Sequence, residues 1–161
     1  MFLNGLMRMN KNNLSAGIDT NILVYFLNEE SIYHTKAKLL VEKLQKGEIH
    51  GMVSLQNISE LYAIVTDHKR FPRPMTADQV VKTMKQFLNN GTITLVFPLS
   101  NTKKVFFELM LKTKPKAQHI HDIFLAATLL SNGINALFTE NTKDFFGIKG
   151  FEAMTFEEYN K

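Results

Sequence analysis

The stretch that decides the fold reads Ala16-Gly17-Ile18-Asp19-Thr20-Asn21-Ile22-Leu23-Val24-Tyr25-Phe26. A short apolar run ends at Asp19, and a second apolar run begins three residues later. A carboxylate inside apolar sequence is costly to bury unless it is paired, hydrogen-bonded or bound to a metal ion. Asp19 is therefore either the cap of a helix that begins near Asn21 or a member of a functional site at the end of the first strand.

Three more acidic residues occupy comparable places. Glu60 lies beyond the apolar segment 51–54, Asp122 precedes the apolar run 123–127, and Asp144 follows the run 136–139. Asp122 also suits the first turn of a helix, where an acid interacts well with the helix dipole, and Asp144 also suits a turn. Because all four acids stand at strand or helix ends, we interpret them together as one predicted cation site.

Short apolar runs alternate with helical patterns along the chain. The predicted strands are Ala16–Ile18, His50–Val53, Ile93–Phe97, Ala136–Phe138 and, more weakly, Phe151–Met154. The predicted helices are Lys36–Lys46, Ile58–Thr66, Ala77–Leu88, Thr102–Leu111 and Asp122–Leu130. This alternation is typical of a parallel sheet covered by helices on both faces. In such an α/β sheet ligands bind beyond the carboxyl ends of the strands, which is where the four acids fall.

Length and composition set the outer limits. The 161 residues fit one domain, with 45 % apolar and 21 % charged residues, no cysteine and a formal charge of +4. We interpret residues 1–14 as an N-terminal extension and residues 15–161 as a single domain. No apolar run is long enough for a membrane helix, so we expect a cytoplasmic protein without membrane contact. The basic surface suits a polyanionic substrate.

A cluster of carboxylates favours a hard cation. Magnesium and manganese prefer oxygen ligands, whereas zinc is less favoured here because the chain has no cysteine and no His-x-x-x-His pair. His119 and His121 flank the third acid, and we interpret them as surface or structural histidines rather than as substrate contacts. The phenylalanines at 87, 97, 106, 107 and 124 fall at core spacing and are interpreted mainly as core.

Four segments, in order, resemble the motifs of the PIN-domain family. They are Gly17-Ile18-Asp19-Thr20-Asn21-Ile22-Leu23-Val24-Tyr25, Val53-Ser54-Leu55-Gln56-Asn57-Ile58-Ser59-Glu60-Leu61, His121-Asp122-Ile123-Phe124-Leu125-Ala126-Ala127-Thr128 and Thr139-Glu140-Asn141-Thr142-Lys143-Asp144-Phe145. The resemblance covers about residues 16–154. It implies a three-layer α/β/α sandwich around a central parallel sheet of about five strands. It also implies a ribonuclease that depends on Mg²⁺ or Mn²⁺, and many small members are toxins of toxin–antitoxin modules.

The resemblance also implies roles for single residues. Asp19, Glu60, Asp122 and Asp144 would be the catalytic acids, with Asp19 and Asp122 as the main metal ligands. Thr20, Asn21, Thr139 and Asn141 would support them by hydrogen bonds. Asn141 stands where many relatives have another aspartate, which weakens a second metal site. A water activated by the cation would hydrolyse the RNA phosphodiester.

The resemblance also implies partners, and the residues after the first strand argue against two rival enzyme functions. RNA would be the substrate, an antitoxin protein the inhibitor, and a homodimer the expected assembly. A dehydrogenase would need a Gly-x-Gly-x-x-Gly turn where Asp19-Thr20-Asn21 stands, so no organic cofactor is expected. A phosphatase with an aspartate nucleophile would need a second acid at the position of Asn21. The remaining alternative is a catalytically inactive PIN-like scaffold that binds RNA or protein.

Overall fold

Five parallel strands form one sheet in the computed structural model, which describes residues 14–161. The strands are β1 (Leu14–Ile18), β2 (Ile49–Ser54), β3 (Ile93–Val96), β4 (Ala136–Phe138) and β5 (Glu152–Met154), in the spatial order β3-β2-β1-β4-β5. The interpretation of residues 1–14 as an extension lies almost wholly outside the described residues and stays a prediction. Leu14 itself is buried and begins β1.

Helices cover both faces of the sheet. They are α1 (Thr20–Leu27), α2 (His34–Gln45), α3 (Leu55–Val65), α4 (Ala77–Asn89), α5 (Thr102–Thr113), α6 (His119–Ser131) and α7 (Phe156–Tyr159), with a 3-10 helix at Thr142–Phe145. Within residues 14–161 no helix is long and apolar enough to cross a membrane. The expected α/β architecture is confirmed.

Two apolar cores lie on opposite sides of the sheet. The larger core packs the buried faces of α1 to α4 and α7 against the strands, and the smaller packs α5, α6 and the 3-10 helix against the other face. The two-residue period of β4 shows the division, because Ala136 and Phe138 belong to the larger core and Leu137 to the smaller. The domain is thus a three-layer α/β/α sandwich, as expected.

The helix α1 was predicted only as one explanation of Asp19, the cap of a helix that begins near Asn21, and was not among the helices predicted from apolar periodicity. Its residues after Asn21 are all apolar, so the sequence shows no polar face from which a helical period could be recognised. The prediction of a phenylalanine core was correct for Phe87, which is buried, but wrong for Phe97 and Phe107, which are 49 % and 54 % exposed. Those two residues have core spacing along the chain, yet no element of the described chain covers them.

The helix α3 begins at a buried capping box directly after β2. The Ser54 hydroxyl accepts a hydrogen bond from Asn57 N, and the Asn57 side chain accepts one from Ser54 N. Asn57 is fully buried, and its Nδ2 also donates to Thr20 Oγ1 at 3.1 Å. An amide buried this deeply must keep its partners, since each unpaired group costs free energy. The box therefore joins the start of α3 to the start of α1.

The chain contains a matched pair of capping boxes that isolates this effect. We expect Asn57→Ala to lower the free energy of unfolding by about 2–3 kcal/mol, because buried partners lose their hydrogen bonds. The equivalent change in the exposed box of α4, Gln79→Ala, should cost at most about 1 kcal/mol. Urea unfolding of both variants measures the difference. Equal losses would contradict a special role for the buried amide.

Candidate acidic site at the carboxyl edge of the sheet

The strand order creates a switch point beside β1. The chain passes from β1 to β2 and β3 on one side, and β4 and β5 lie on the other side. At such a point the connections leave the sheet in opposite directions and open a crevice at the carboxyl ends of the strands. Asp19 directly follows β1 and Thr139 directly follows β4, and Asp19 N donates to the Phe138 carbonyl at 3.0 Å. Both side chains therefore stand at this crevice.

Asp19 is both a helix cap and a member of the acidic site. Its Oδ1 accepts a hydrogen bond from Thr20 N at 2.7 Å at the start of α1. Its Oδ2 accepts from Thr139 Oγ1 at 2.7 Å and from Asn21 Nδ2 at 3.0 Å. The two explanations offered for this residue are therefore compatible, because one carboxylate caps α1 while it faces the crevice.

Thr139 is the junction that holds Asp19 to the neighbouring strand. Its side chain is fully buried, and its hydroxyl donates to Asp19 while it accepts from Asn21 Nδ2 and from Asn141 N, each at 3.0 Å. Asn141 takes part through its backbone, and its side chain is exposed. A threonine with these partners can point its hydroxyl proton only towards the carboxylate.

Glu60 lies in the second turn of α3 and is fixed at both oxygens. Its Oε2 accepts from Thr20 Oγ1 at 2.8 Å, and its Oε1 accepts from Gln56 Nε2 at 2.9 Å. The same Gln56 nitrogen donates to the carbonyl of His121 at 3.0 Å, which ties α3 to α6. Thr20 in turn accepts from Asn57, so the buried capping box extends by hydrogen bonds to the Glu60 carboxylate.

Asp122 and Asp144 meet around a histidine. His119 Nδ1 lies 3.4 Å from Asp122 Oδ2 and 3.6 Å from Asp144 Oδ1. His119 and Asp122 stand one helical turn apart at the start of α6, and Asp144 lies in the 3-10 helix after β4. One ligand atom from each of these three residues falls within 4.8 Å of the others.

The electrostatics show that the acids crowd one another. Burial raises the pKa of Asp19 from 3.8 to about 6, although the hydrogen bonds from Thr139 and Thr20 lower it; the charges of Asp122 and Glu60 raise it further. Burial also raises the pKa of Asp122, and so does the nearby charge of Asp144, whereas His119 lowers it. Carboxylates in this state gain most from a positive ion.

The donor set fits a divalent cation. Carboxylate oxygens supply most of the available ligand atoms, which suits magnesium or manganese, and the raised pKa values show that the negative charge is incompletely compensated by the protein. Two buried side-chain oxygens, Asn21 Oδ1 and Gln56 Oε1, have no hydrogen-bond donor among the described residues. Both belong to side chains that hold an acid of the site, so polar groups there still have capacity to bind water or a ligand.

The structure brings together all four acids that the sequence singled out. The charges of Asp122 and Glu60 act on Asp19, and those of Asp144 and Glu60 act on Asp122. Asp144 lies against the same histidine as Asp122.

Three further residues of the site were not predicted. Gln56 and Asn57 act through hydrogen bonds across the site, and their only sequence signal was the Ser-x-x-Asn pattern of a capping box at 54–57. His119 was interpreted as a surface histidine. Its position three residues before Asp122 places both side chains on one face of a helix, and this spacing could have indicated that His119 belongs to the site.

Comparison with known proteins identifies the family. Residues 17–149 match the model of the PIN domain, so the chain belongs to the PIN domain family. It is 25 % identical over 139 residues to Ribonuclease VapC48 of Mycobacterium tuberculosis, which covers 85 % of this chain and 94 % of that protein.

Solved structures share the fold. VapBC-1 from nontypeable Haemophilus influenzae superposes with a TM-score of 0.64 at 16 % identity, covering 89 % of this chain and 99 % of that one. A toxin–antitoxin complex from Klebsiella pneumoniae gives a TM-score of 0.57 at 22 % identity, covering 88 % and 97 %. At these identities the likeness concerns the fold alone.

The raised pKa of Asp19 predicts an unusual pH dependence of stability. Because the folded protein holds this proton more tightly than the unfolded chain, the stabilisation is present below pH 3.8 and is lost as the pH rises through about 6. Without metal, Asp19→Asn should therefore gain about 2–3 kcal/mol relative to the parent across this range. Urea unfolding in EDTA at several pH values measures the gain.

A second variant checks the cause. Thr139→Val removes the hydrogen bond that lowers the pKa of Asp19, so the pH-dependent loss of stability should extend to higher pH in that variant. A parent protein whose stability relative to Asp19→Asn does not change with pH would show that Asp19 titrates normally.

Proposed function

We propose that this protein is a ribonuclease that depends on a divalent cation and hydrolyses RNA phosphodiester bonds at the acidic site. The observation that carries the proposal is the convergence of Asp19, Glu60, Asp122 and Asp144 at the switch point of a PIN domain. The name of the relative from Mycobacterium tuberculosis supports ribonuclease activity in particular. The formal charge of +4 suits a polyanionic substrate.

Asp19 and Asp122 are the proposed main ligands of the cation, with Mg²⁺ or Mn²⁺ as the ion. Asp19 is directed by Thr20, Asn21 and Thr139, so its oxygens keep one orientation without reorganisation. When bound, a divalent cation neutralises phosphate charge and makes water a stronger nucleophile.

Glu60 is the proposed acid that orients water at the scissile phosphate. Thr20 and Gln56 donate to its two oxygens and leave further lone pairs free to accept a hydrogen bond from a water. Asp144 is proposed to add a further carboxylate to the site, next to Asp122. Because hydrogen bonds from Thr20 and Gln56 hold Glu60 in place, a water bound to it would be aligned before RNA enters.

We also propose that the protein is the toxin of a toxin–antitoxin module and binds an antitoxin protein. The toxin–antitoxin complex from Klebsiella pneumoniae, which covers 88 % of this chain, supports the proposal. The homodimer expected from sequence stays a prediction. The alternative function, a scaffold that binds RNA or protein without cleavage, has no specific observation in its favour because all four acids are retained.

Removal of one acid tests the activity. We expect Asp122→Asn to reduce cleavage of single-stranded RNA by at least about a hundredfold, because the cation loses a charged ligand. EDTA should abolish cleavage by the parent, and added Mn²⁺ should restore it. Gel analysis of end-labelled RNA measures both effects.

The control makes the same chemical change away from the site. Asp78→Asn, at an exposed position in the first turn of α4, should cleave like the parent. If Asp122→Asn also cleaves like the parent, the site is wrongly assigned. If the parent binds RNA but never cleaves it with either metal, the scaffold function is correct.

We propose that one exposed aromatic residue contacts RNA. Phe146 is 77 % exposed and lies two residues after Asp144, whereas its neighbour Phe145 is buried. Exposed aromatic rings beside a phosphate-binding site stack on bases of single strands. We expect Phe146→Ala to weaken RNA binding about tenfold, measured by fluorescence anisotropy on the Asp122→Asn protein. Phe107→Ala, which removes an exposed ring on α5, should leave binding unchanged.

A further inference from the structure

His119 occupies a position that none of the proposed roles explains. It is the first residue of α6, its side chain is 58 % exposed, and its Nδ1 faces two acids of the site. His121 is different, since its side chain is exposed and its carbonyl receives the hydrogen bond from Gln56. The imidazole nitrogen of His119 therefore lies near the carboxylates of both Asp122 and Asp144, and its role there is still to be explained.

A short hydrogen bond to a single acid does not explain the spacing. Charge-assisted hydrogen bonds between nitrogen and carboxylate oxygen are about 2.7–2.9 Å long. The Nδ1 atom lies 3.4 Å and 3.6 Å from its two carboxylate oxygens, longer than that range for both. The imidazole is therefore shared between the two acids at similar distances.

The spacing suits a shared ion. Two donor atoms that each lie about 2.2 Å from one cation are about 3.1 Å apart at a right angle and about 4.4 Å apart when opposite. The two nitrogen–oxygen distances of His119 fall between these limits, and all three donor atoms lie within 4.8 Å of one another. The bound of 4.8 Å slightly exceeds the upper limit, so a single cation can contact all three donors after a small shift of one side chain.

The elements explain why these residues converge. His119 and Asp122 are three residues apart on α6, which puts them on one face of the helix. Asp144 is carried to that face by the 3-10 helix, which packs on α6 in the smaller core through the buried Phe145. The donor atoms thus come from two elements fixed by packing and do not depend on a long loop.

We propose that His119 is a direct ligand of the site's cation through Nδ1, together with Asp122 and Asp144. This inference rests on the proposed function, because it concerns the same cation. It adds a specific consequence, since an imidazole ligand favours manganese and later transition ions over magnesium, which prefers oxygen alone. The site then prefers Mn²⁺ to Mg²⁺.

Pulsed electron paramagnetic resonance tests the ligand directly. The untagged full-length protein loaded with one equivalent of Mn²⁺ should show the ¹⁴N modulation of a coordinated imidazole. His119→Ala should lose this modulation, and His121→Ala should keep it. Both histidines are exposed and neither belongs to a core, so both variants should fold like the parent, which thermal unfolding checks.

Metal affinity supplies a second readout that does not depend on activity. In calorimetric titrations His119→Ala should lose at least about tenfold in affinity for Mn²⁺ and little for Mg²⁺, so the preference between the two ions falls. His121→Ala should keep the preference of the parent. His119→Gln, which supplies an amide oxygen in place of the imidazole nitrogen, should bind Mg²⁺ like the parent and should not restore the preference for Mn²⁺.

The outcomes separate this inference from the proposed function. If Mn²⁺ binds without ¹⁴N modulation, His119 is not a ligand, although a cation site made of carboxylates remains. If His119→Ala weakens RNA binding and leaves both metal affinities unchanged, His119 contacts substrate, and the inference is overturned. If neither ion binds to the parent, both the inference and the metal-dependent activity fail.

Discussion

The arrangement depends on one constraint, which is the placement of the Asp19 carboxylate at the end of the central strand. Its three hydrogen bonds come from the Thr20 backbone, from the Asn21 side chain and from Thr139 beyond the neighbouring strand. Burial raises the pKa of Asp19 to about 6, although the bonds from Thr139 and Thr20 lower it. The fold therefore holds a carboxylate in a place where its charged form is disfavoured. A bound cation would relieve this penalty, which is why the proposed cation site is centred on Asp19.

A second hydrogen-bond network connects the starts of α1 and α3 to the site. The buried Asn57 amide satisfies the cap of α3 and also donates to Thr20, whose hydroxyl donates to Glu60. The side chains that begin two helices thus position an acid of the site as well. Structural and functional roles coincide here because the carboxyl edge of a parallel sheet is where helices begin. Helix caps and site residues necessarily share that space.

The third part of the site depends on packing instead. Asp144 reaches Asp122 and His119 because the 3-10 helix after β4 inserts Phe145 into the smaller core beside α6, and the turn that follows inserts Ile148. Asp19 and Glu60 are held mainly by hydrogen bonds, whereas the spacing of Asp122, Asp144 and His119 depends on the contact of two helical elements. The nitrogen donor of His119, beside the oxygen donors of Asp122 and Asp144, is the basis for the proposed metal preference.

The sequence by itself determined the alternation of strands and helices, the parallel sheet and the four acids, because each depends on local patterns of apolar and polar residues. Helix α1 was not predicted from periodicity because its residues after Asn21 are apolar and show no polar face. Phe97 and Phe107 were misplaced because core spacing along a helix or strand does not show whether a neighbour covers the side chain. Only the tertiary structure decided which side chains meet. Thr20 and Glu60 are 40 residues apart, and Asp19 and Thr139 are 120 apart, so their hydrogen bonds exist only after the strands have paired. The same holds for His119, since a histidine on an exposed helix face becomes a candidate ligand only when packing brings a carboxylate from another element to its ring.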